Sequence, residues 1–225
     1  MKSIKFFAVV TALVMCTTVS AQFTNTGSKS KSVVNTNGWQ SVYVQYSPTT
    51  LVQSEPGAKD VTLNLTGLSV GYERAIGLTK DIPLYLNIGG NLKYSFGKDK
   101  DDDKYTFLSV KVPVSVSYDF SVTENIDILP YAGLFFRYNI IGKLSFDGED
   151  DSNNLFSDSD DYDNEDQWKR FQTGLQIGAN VMFNKRFYAG VGYSSDLGKL
   201  FDGHFDGDDY SVKSHAINLR LGMVF

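Results

Sequence analysis

Eight segments of this chain alternate apolar residues with polar or small residues at every second position. This period of two is typical of β-strands, in which successive side chains point to opposite faces. Most of the segments are close to the roughly 9 to 11 residues that a tilted membrane-spanning strand needs. In chain order they lie near Trp39–Ser47, Leu68–Glu73, Leu84–Phe96, Leu108–Asp119, Tyr131–Ile140, Gly174–Phe183, Phe187–Ser194 and Ala216–Phe225.

The apolar face of these strands could line a soluble core, as in a sandwich or a lipocalin-like barrel, or could face lipid. Its aromatic residues lie at strand ends, and the opposite face is rich in Gly, Ser and Asn, which suits a narrow polar lumen. No segment after residue 21 approaches 18 continuous apolar residues, which excludes a helical membrane protein. We therefore predict an all-β fold over residues 38–225, an eight-stranded antiparallel up-and-down transmembrane β-barrel of the bacterial outer membrane. The predicted aromatic girdles are Tyr72, Tyr118, Phe120, Phe183, Phe187 and Phe225 at the periplasmic end, and Tyr46, Tyr94, Phe96, Tyr138 and Tyr193 at the outer end.

The connections between the predicted strands alternate in length. Those at Ala75–Pro83, Ser121–Asp127 and Asn184–Arg186 are short, and the others are mostly longer and more polar. Short inner turns and long outer loops are typical of outer-membrane barrels and predict both barrel ends in the periplasm. Upstream of strand two, Val61–Leu65 alternates in the opposite phase, which predicts a β-bulge at Thr66–Gly67 or a hairpin extending beyond the membrane.

The first residues have the pattern of an export signal. Lys2 and Lys5 precede an apolar stretch, and Val19-Ser20-Ala21 is a small-residue cleavage site, so we predict a signal peptide at residues 1–21 and a flexible periplasmic lead-in at 22–37. An uncleaved anchor and a lipoprotein acylated at Cys16 are the alternatives. Cys16 is the single cysteine, so the mature chain would have no disulfide.

The charge of the chain is acidic. It is −5 overall, and residues 1–21 hold two lysines and no acid, so the mature chain is at −7. This balance argues against a nucleic-acid partner, which requires a basic surface.

Six charged residues fall on the predicted inward face: Glu73, Lys93, Lys111, Asp119, Arg137 and Arg220. Buried charges are costly unless they are paired, so we predict a lumen network in which Glu73 and Asp119 pair with some of the four bases. We interpret it as a structural plug, because an eight-stranded barrel is just wide enough for side chains to fill. A gate or ligand site is the alternative.

The predicted outer loops are strongly acidic, with ten acidic residues in 147–166. Clustered carboxylates suit Ca²⁺ or Mg²⁺, but the ligand spacing of the twelve-residue calcium loop is absent. The weak metal candidates are Asp158, Asp160, Asp161 and Asp163. We favour a solvated, self-repelling surface and expect no cofactor beyond weak Ca²⁺ binding.

The last residues, Leu219 to Phe225, resemble the C-terminal signal read by the outer-membrane barrel assembly machinery. In that signal the final residue is aromatic and alternate preceding residues are apolar, a pattern carried here by Gly222, Met223 and Phe225. The resemblance implies that the assembly machinery is a partner.

Two segments resemble the PorT-like and OmpX-like outer-membrane barrel domain of Bacteroidetes: the proline-containing strand Lys111–Tyr118 and the Pro-Tyr-x-Gly opening at Ile128–Gly133. The resemblance covers about Trp39 to Phe225. It implies a fold and an outer-membrane location more than an activity, and one member of the family is tied to type IX secretion.

Catalysis has little support in the sequence. The only histidines are His204 and His215, and no nucleophile motif accompanies them. We expect a non-enzymatic monomer with a structural or surface-interaction role, in contact with the lipid bilayer and lipopolysaccharide. The alternatives are an accessory component of envelope transport or protein secretion and an outer-membrane lipid-modifying enzyme.

Overall fold

The computed structural model describes residues 38–54, 60–99, 102–146, 152–156, 168–205 and 208–225, and every regular element in them is a β-strand. The predicted signal peptide and lead-in lie outside the described residues. The strands are β1 Trp39–Tyr46, β2 Thr49–Ser54, β3 Val61–Gly77, β4 Leu84–Lys98, β5 Lys104–Tyr118, β6 Phe120–Thr123, β7 Ile126–Ser145, β8 Ser152–Asn154, β9 Phe171–Phe183, β10 Phe187–Asp196, β11 Phe201–Phe205 and β12 Asp208–Val224. In these ranges we find no helix of sufficient length and apolarity to cross a membrane.

The strands close into a ring. The antiparallel order is β1, β3, β4, β5, β7, β9, β10 and β12, and β12 pairs back onto β1. β2 continues β1 after Ser47-Pro48 and keeps the same two neighbours, β3 and β12. The ring therefore has eight strands, which confirms the predicted barrel. Closure leaves the ring without an unpaired edge, as a bilayer requires.

The predicted bulge at Thr66–Gly67 is wrong. Tyr46 faces Leu68 and Thr49 faces Leu65 in one unbroken register, and Ser47 and Gly67 exchange two backbone hydrogen bonds of 2.7 and 3.0 Å. A register shift occurs instead in β7, where Leu108 faces Ile141 but Ser109 faces Asn139. The extra residue is Ile140, and beyond it the parity of β7 is reversed.

The two faces of the strands are arranged as the alternation predicts. In β4, Leu92 and Tyr94 are exposed on the outside, whereas Asn91, Lys93 and Ser95 are buried inside. The exposed outer surface is apolar along its middle, as a lipid-facing band is. Most predicted girdle residues are exposed at its two ends: Tyr46, Tyr94, Phe96, Tyr138 and Tyr193 at one, and Phe120, Phe183, Phe187 and Phe225 at the other.

The connections predicted to lie in the periplasm are short. Asn184 and Lys185 have φ of 50° and 54°, which places both central residues of the β9–β10 hairpin in the left-handed region of a tight primed turn. The predicted loop at Ser121–Asp127 is instead mostly strand, because β6 pairs with the beginning of β7 around a turn at residues 124–125.

At the outer end the interior is apolar. We call the buried cluster of Leu51, Leu65, Phe107, Phe156, Leu200 and Val212 the apolar plug. The phase change at Val61–Leu65 reflects this cluster. The inward parity of β3 is constant from Leu63 through Gly67 to Ser69, but its residues change from apolar to small and polar.

Candidate functional site in the barrel interior

A buried ion pair lies in the polar interior. Arg220 Nη1 of β12 donates to Glu73 Oε2 of β3 at 3.3 Å, and Arg220 Nε donates to Gln45 Oε1 at 3.3 Å. The guanidinium also lies 4.3 Å from the ring centre of Tyr43 and 5.7 Å from that of Tyr131. The arginine therefore has charged, polar and aromatic partners, which is what makes a buried cation tolerable.

A second pair forms farther toward the plug. Arg137 Nη2 of β7 donates to Asp196 Oδ2 of β10, and Nη1 reaches Ser214 Oγ at 3.4 Å. The two predicted lysines lie near it on β4 and β5. Lys93 Nζ donates to Thr49 Oγ1 at 2.7 Å, and Lys111 Nζ lies 4.1 Å from the centre of the Phe135 ring. Within the described residues, neither lysine is in ion-pair contact with a carboxylate.

Asp119 lies apart from the other five predicted charges. It follows the end of β5 at the periplasmic mouth, where its backbone N–H donates to Pro83 O at 2.9 Å. Burial and the neighbouring carboxylate of Asp127 raise the pKa of Asp119 to about 6, while Lys185 acts in the opposite direction. The structure thus brings Glu73, but not Asp119, together with a predicted base.

Polar side chains and aromatic rings fill the rest of the interior. Gln45 Nε2 donates to Ser47 Oγ at 2.8 Å and to Asn218 Oδ1 at 3.0 Å, and Asn218 Nδ2 donates to Ser194 Oγ at 3.1 Å. At the periplasmic end, Tyr43, Leu129, Met182 and Tyr188 form a second buried cluster. Two interior cavities have volumes of about 10 and 30 Å³, room for a few water-sized particles.

At the outer end, two aromatic residues that flank residues 157–167 pack on the barrel. Phe156 belongs to the apolar plug, and Trp168 packs on Phe107 and Phe201 with ring centres 6.0 and 5.6 Å apart. Arg170 donates to the carbonyl oxygens of Ile140 and Phe156, each at 3.0 Å.

The metal candidates Asp158, Asp160, Asp161 and Asp163 lie outside the described residues. In the described ranges, no group of three or more His, Cys, Asp or Glu side chains is arranged to hold a metal ion.

The predicted assembly residues lie in the seam between β12 and β1. Met223 and Phe225 face outward and are exposed, and Phe225 exchanges backbone hydrogen bonds of 2.9 and 3.3 Å with Gln40. Gly222 faces inward, and a Cβ atom there would lie 2.3 Å from Cζ of Tyr188. The glycine therefore makes room for a buried ring.

Sequence reasoning missed several interior residues. Asp196 continues the inward parity of Tyr188 and Ser194 in β10, so a longer strand would have included it. Asp127 falls in the predicted loop Ser121–Asp127, although it is 1% exposed and its two carboxylate oxygens have no hydrogen-bond partner among the described residues. Phe156 and Trp168 lie outside the alternating segments, so their contacts with the barrel have no periodic signal in the sequence.

A closed eight-stranded ring with an apolar exterior and a filled polar interior defines an outer-membrane β-barrel. The sequence profile of the outer membrane protein β-barrel domain matches residues 84–202, more than half of the chain. The protein belongs to this family, and it resides in the bacterial outer membrane.

The solved structures to which this chain is similar include three outer-membrane proteins. Ail, the attachment invasion locus protein of Yersinia pestis, is 16% identical over 82% of this chain and 99% of its own, with a TM-score of 0.36. OprG from Pseudomonas aeruginosa is 10% identical over 84% and 98%, with a TM-score of 0.42. The outer membrane enzyme PagL is 14% identical over 77% and 97%, with a TM-score of 0.42. No curated protein sequence matches this chain.

Proposed function

We propose that this protein is a closed, non-catalytic surface barrel that presents an acidic loop to a basic partner outside the cell. One observation carries the proposal. The residues that flank segment 157–167 on both sides are fastened to the barrel, Phe156 within the apolar plug and Trp168 against Phe107 and Phe201.

The segment between these two residues carries a dense negative charge. Residues 157–167 include six acidic residues, Asp158, Asp160, Asp161, Asp163, Glu165 and Asp166. A concentration of one charge sign attracts a partner of the opposite sign and steers its approach. Phe156 and Trp168 are already held on the barrel, so binding does not have to order these two flanking residues, which lowers its ordering cost.

The interior supports a role without solute transport or catalysis. Side chains fill the lumen between the apolar plug and the periplasmic cluster, and the cavities there are water-sized. His215, half-buried on β12, hydrogen-bonds to the outward-facing Tyr193 at 2.9 Å between Oη and Nδ1. We therefore expect unchanged membrane lipid profiles when His204 and His215 are both replaced by Ala.

The proposal can be tested with the full barrel in lipid nanodiscs and fluorescent oligolysine as the basic probe. Replacing the six acidic residues of 157–167 by Asn or Gln should remove most of the affinity and flatten its salt dependence, since each lost charge weakens steering. The matched control carries Asp81→Asn and Glu124→Gln in the periplasmic connections, where both residues are exposed.

Binding that is equal in the loop variant and the unchanged protein would contradict the proposal. Titrating Ca²⁺ into the unchanged protein by calorimetry tests the accompanying hypothesis of weak calcium binding at the same acids. Saturable heat that disappears in the loop variant would support it, and the absence of saturable heat would exclude it.

Contact with lipopolysaccharide forms part of the proposal. Lys98 and Lys104 face each other across β4 and β5, two residues beyond Phe96 of the outer aromatic girdle, and the exposed Lys143 faces Thr106 nearby. Lys98 is paired with Asp102 at 3.0 Å. Directly opposed like charges destabilise a sheet, so phosphate groups of the outer leaflet would stabilise this row at Lys104 and Lys143. We also propose that the protein is monomeric and that the assembly machinery recognises β12.

The resemblance to PorT-like barrels supports an accessory role in secretion as the alternative. Pro113 of that motif is fully buried in the lumen and pairs with Phe135, so its contribution here is to packing. Deleting the gene and measuring secreted cargo in the periplasm distinguishes the two roles. Accumulation of cargo would favour the accessory role, and unchanged secretion would favour surface interaction.

A further inference from the structure

A small cavity lies between the polar interior and the apolar plug. Its volume is about 30 Å³, above the roughly 10 to 15 Å³ that a single water requires by this measure. Leu51, Leu65, Phe107 and Leu200 of the plug form its apolar side. On the opposite side it is lined by Lys93, Ser95, Ser109, Arg137, Asn139 and Ser214.

The polar side of this cavity presents hydrogen-bond donors. Arg137 Nε and Asn139 Nδ2 are buried and have no hydrogen-bond partner among the described residues. Lys93 Nζ carries three donors, and the structure shows one of them engaged, by Thr49 Oγ1 at 2.7 Å. Buried donors are almost always satisfied in folded proteins, so a group that accepts hydrogen bonds belongs in this cavity.

The charged side chains around the cavity indicate whether the acceptor is an anion or a neutral molecule. Near this cavity the inward face carries three bases and one acid: Lys93, Lys111, Arg137 and Asp196. The Arg220–Glu73 pair and the carboxylates of Asp119 and Asp127 lie farther toward the periplasmic end. Glu73 pairs with Arg220 and Asp196 pairs with Arg137, which leaves the two lysines without an ion-pair partner in the described chain. Asp196 does not line the cavity. A buried, uncompensated positive charge favours an anion over a neutral molecule.

We propose that this cavity binds one small monovalent anion of the halide class, with chloride as the physiological occupant. Lys93 supplies the opposite charge, and Arg137 and Asn139 donate hydrogen bonds from the next strand but one. The anion bridges β4 and β7, which lie on either side of β5 in the ring, directly beneath the apolar plug. Its role is structural, because it neutralises a cation that the fold itself leaves unpaired.

The test is the stability of the refolded, full-length barrel in detergent micelles, measured by urea unfolding at constant ionic strength. The urea midpoint should rise in a saturable way as sodium gluconate is replaced by sodium chloride or bromide, because a ligand that binds the folded state stabilises it by mass action. Gluconate is too large for the cavity. Identical midpoints in gluconate and chloride would overturn the proposal.

Variants test whether the dependence of the urea midpoint on halide arises at this cavity. Lys93→Met should abolish the halide dependence and, in gluconate, should unfold at a higher urea concentration than the unchanged protein, since it removes the uncompensated charge. Lys213→Met, at an exposed position on β12, is the matched control and should retain the full dependence. Equal halide dependence in Lys93→Met would assign the effect to another part of the protein and would overturn the proposed site.

A second variant keeps the test decisive if Lys93→Met does not fold. Asn139→Asp places a carboxylate in the same cavity with little change in shape, so it should replace the anion and remove the halide dependence. Anomalous scattering from bromide-soaked crystals of the unchanged protein provides a direct readout. A peak beside Lys93 Nζ is expected, and a cavity without bromide signal would contradict the proposal.

Discussion

Among single residues, Glu73 and Arg220 give the sharpest expectation for stability. Their ion pair is buried, with side chains 12% and 7% exposed, and removal of one partner leaves an uncompensated charge. We expect Glu73→Gln to lower the free energy of unfolding by about 3 to 5 kcal/mol. The double variant Glu73→Gln/Arg220→Met should recover much of this loss, because it removes both charges.

Urea unfolding in lipid vesicles, followed by tryptophan fluorescence, measures these differences. The control is the exposed pair of Lys98 and Asp102, whose side chains are 51% and 65% exposed. Asp102→Asn should change the free energy of unfolding by no more than ~1 kcal/mol. A double variant as unstable as Glu73→Gln would show that the destabilisation arises from lost packing rather than from the unpaired arginine.

Asp119 gives an expectation for pH. Its pKa is raised from 3.8 to about 6, so between these values the folded protein binds more protons than the unfolded chain. The free energy of unfolding should therefore fall as pH rises from about 4 to about 6, with the full cost present above that window. Asp119→Asn should reduce this decline, whereas Asp81→Asn should not. A decline as steep in Asp119→Asn as in the unchanged protein would contradict the assignment.

Among the elements, the seam between β12 and β1 requires a glycine at position 222, because a side chain there would meet a packed ring. A Cβ atom at Gly222 would approach the Tyr188 ring to 2.3 Å, and this ring is packed in the periplasmic cluster. Gly222→Ala should therefore destabilise the barrel by about 1 to 3 kcal/mol. Gly90→Ala is the matched control, since a Cβ atom at that position in β4 would have no atom within 4 Å. Equal heat-modifiable gel shifts and urea midpoints for the two variants would exclude the steric role of Gly222.

The elements also show which features could be predicted from sequence. The eight ring strands were predictable because a lipid-facing band requires an apolar residue at every second position, as Leu92 and Tyr94 illustrate. The reversed alternation at Leu63 and Leu65 predicts a bulge that the structure does not contain, because a change in lumen polarity and a change in parity give the same pattern in the sequence. The true bulge at Ile140 lies within two consecutive apolar residues, Ile140-Ile141. The change of parity there is therefore not visible in the alternation of the sequence.

The interior site was partly predictable for the same reason. Parity alone placed Lys93, Lys111, Arg137 and Arg220 inside, since each lies between apolar outward neighbours. Parity does not encode which carboxylate meets which base. The pairing of Arg137 with Asp196 depends on the relative heights of β7 and β10, which are separated by β9 in the ring.

For the whole molecule, the arrangement of barriers predicts how the barrel responds to ions. The lumen is blocked in series, by the apolar plug at the outer end and by Arg220 stacked on Tyr43 in the interior. The unchanged protein should therefore give no steady ion conductance in planar lipid bilayers.

Phe107→Ala alone and Tyr43→Ala/Arg220→Ser alone should also give no conductance, because one barrier remains in each. The combined variant should conduct small ions, provided that its gel shift shows a folded barrel. Phe96→Ala/Tyr94→Ala removes similar volume from the outward face and should not conduct. Steady conductance of the unchanged protein would show that the lumen is open, and conductance of either interior variant alone would show that the two barriers do not act in series.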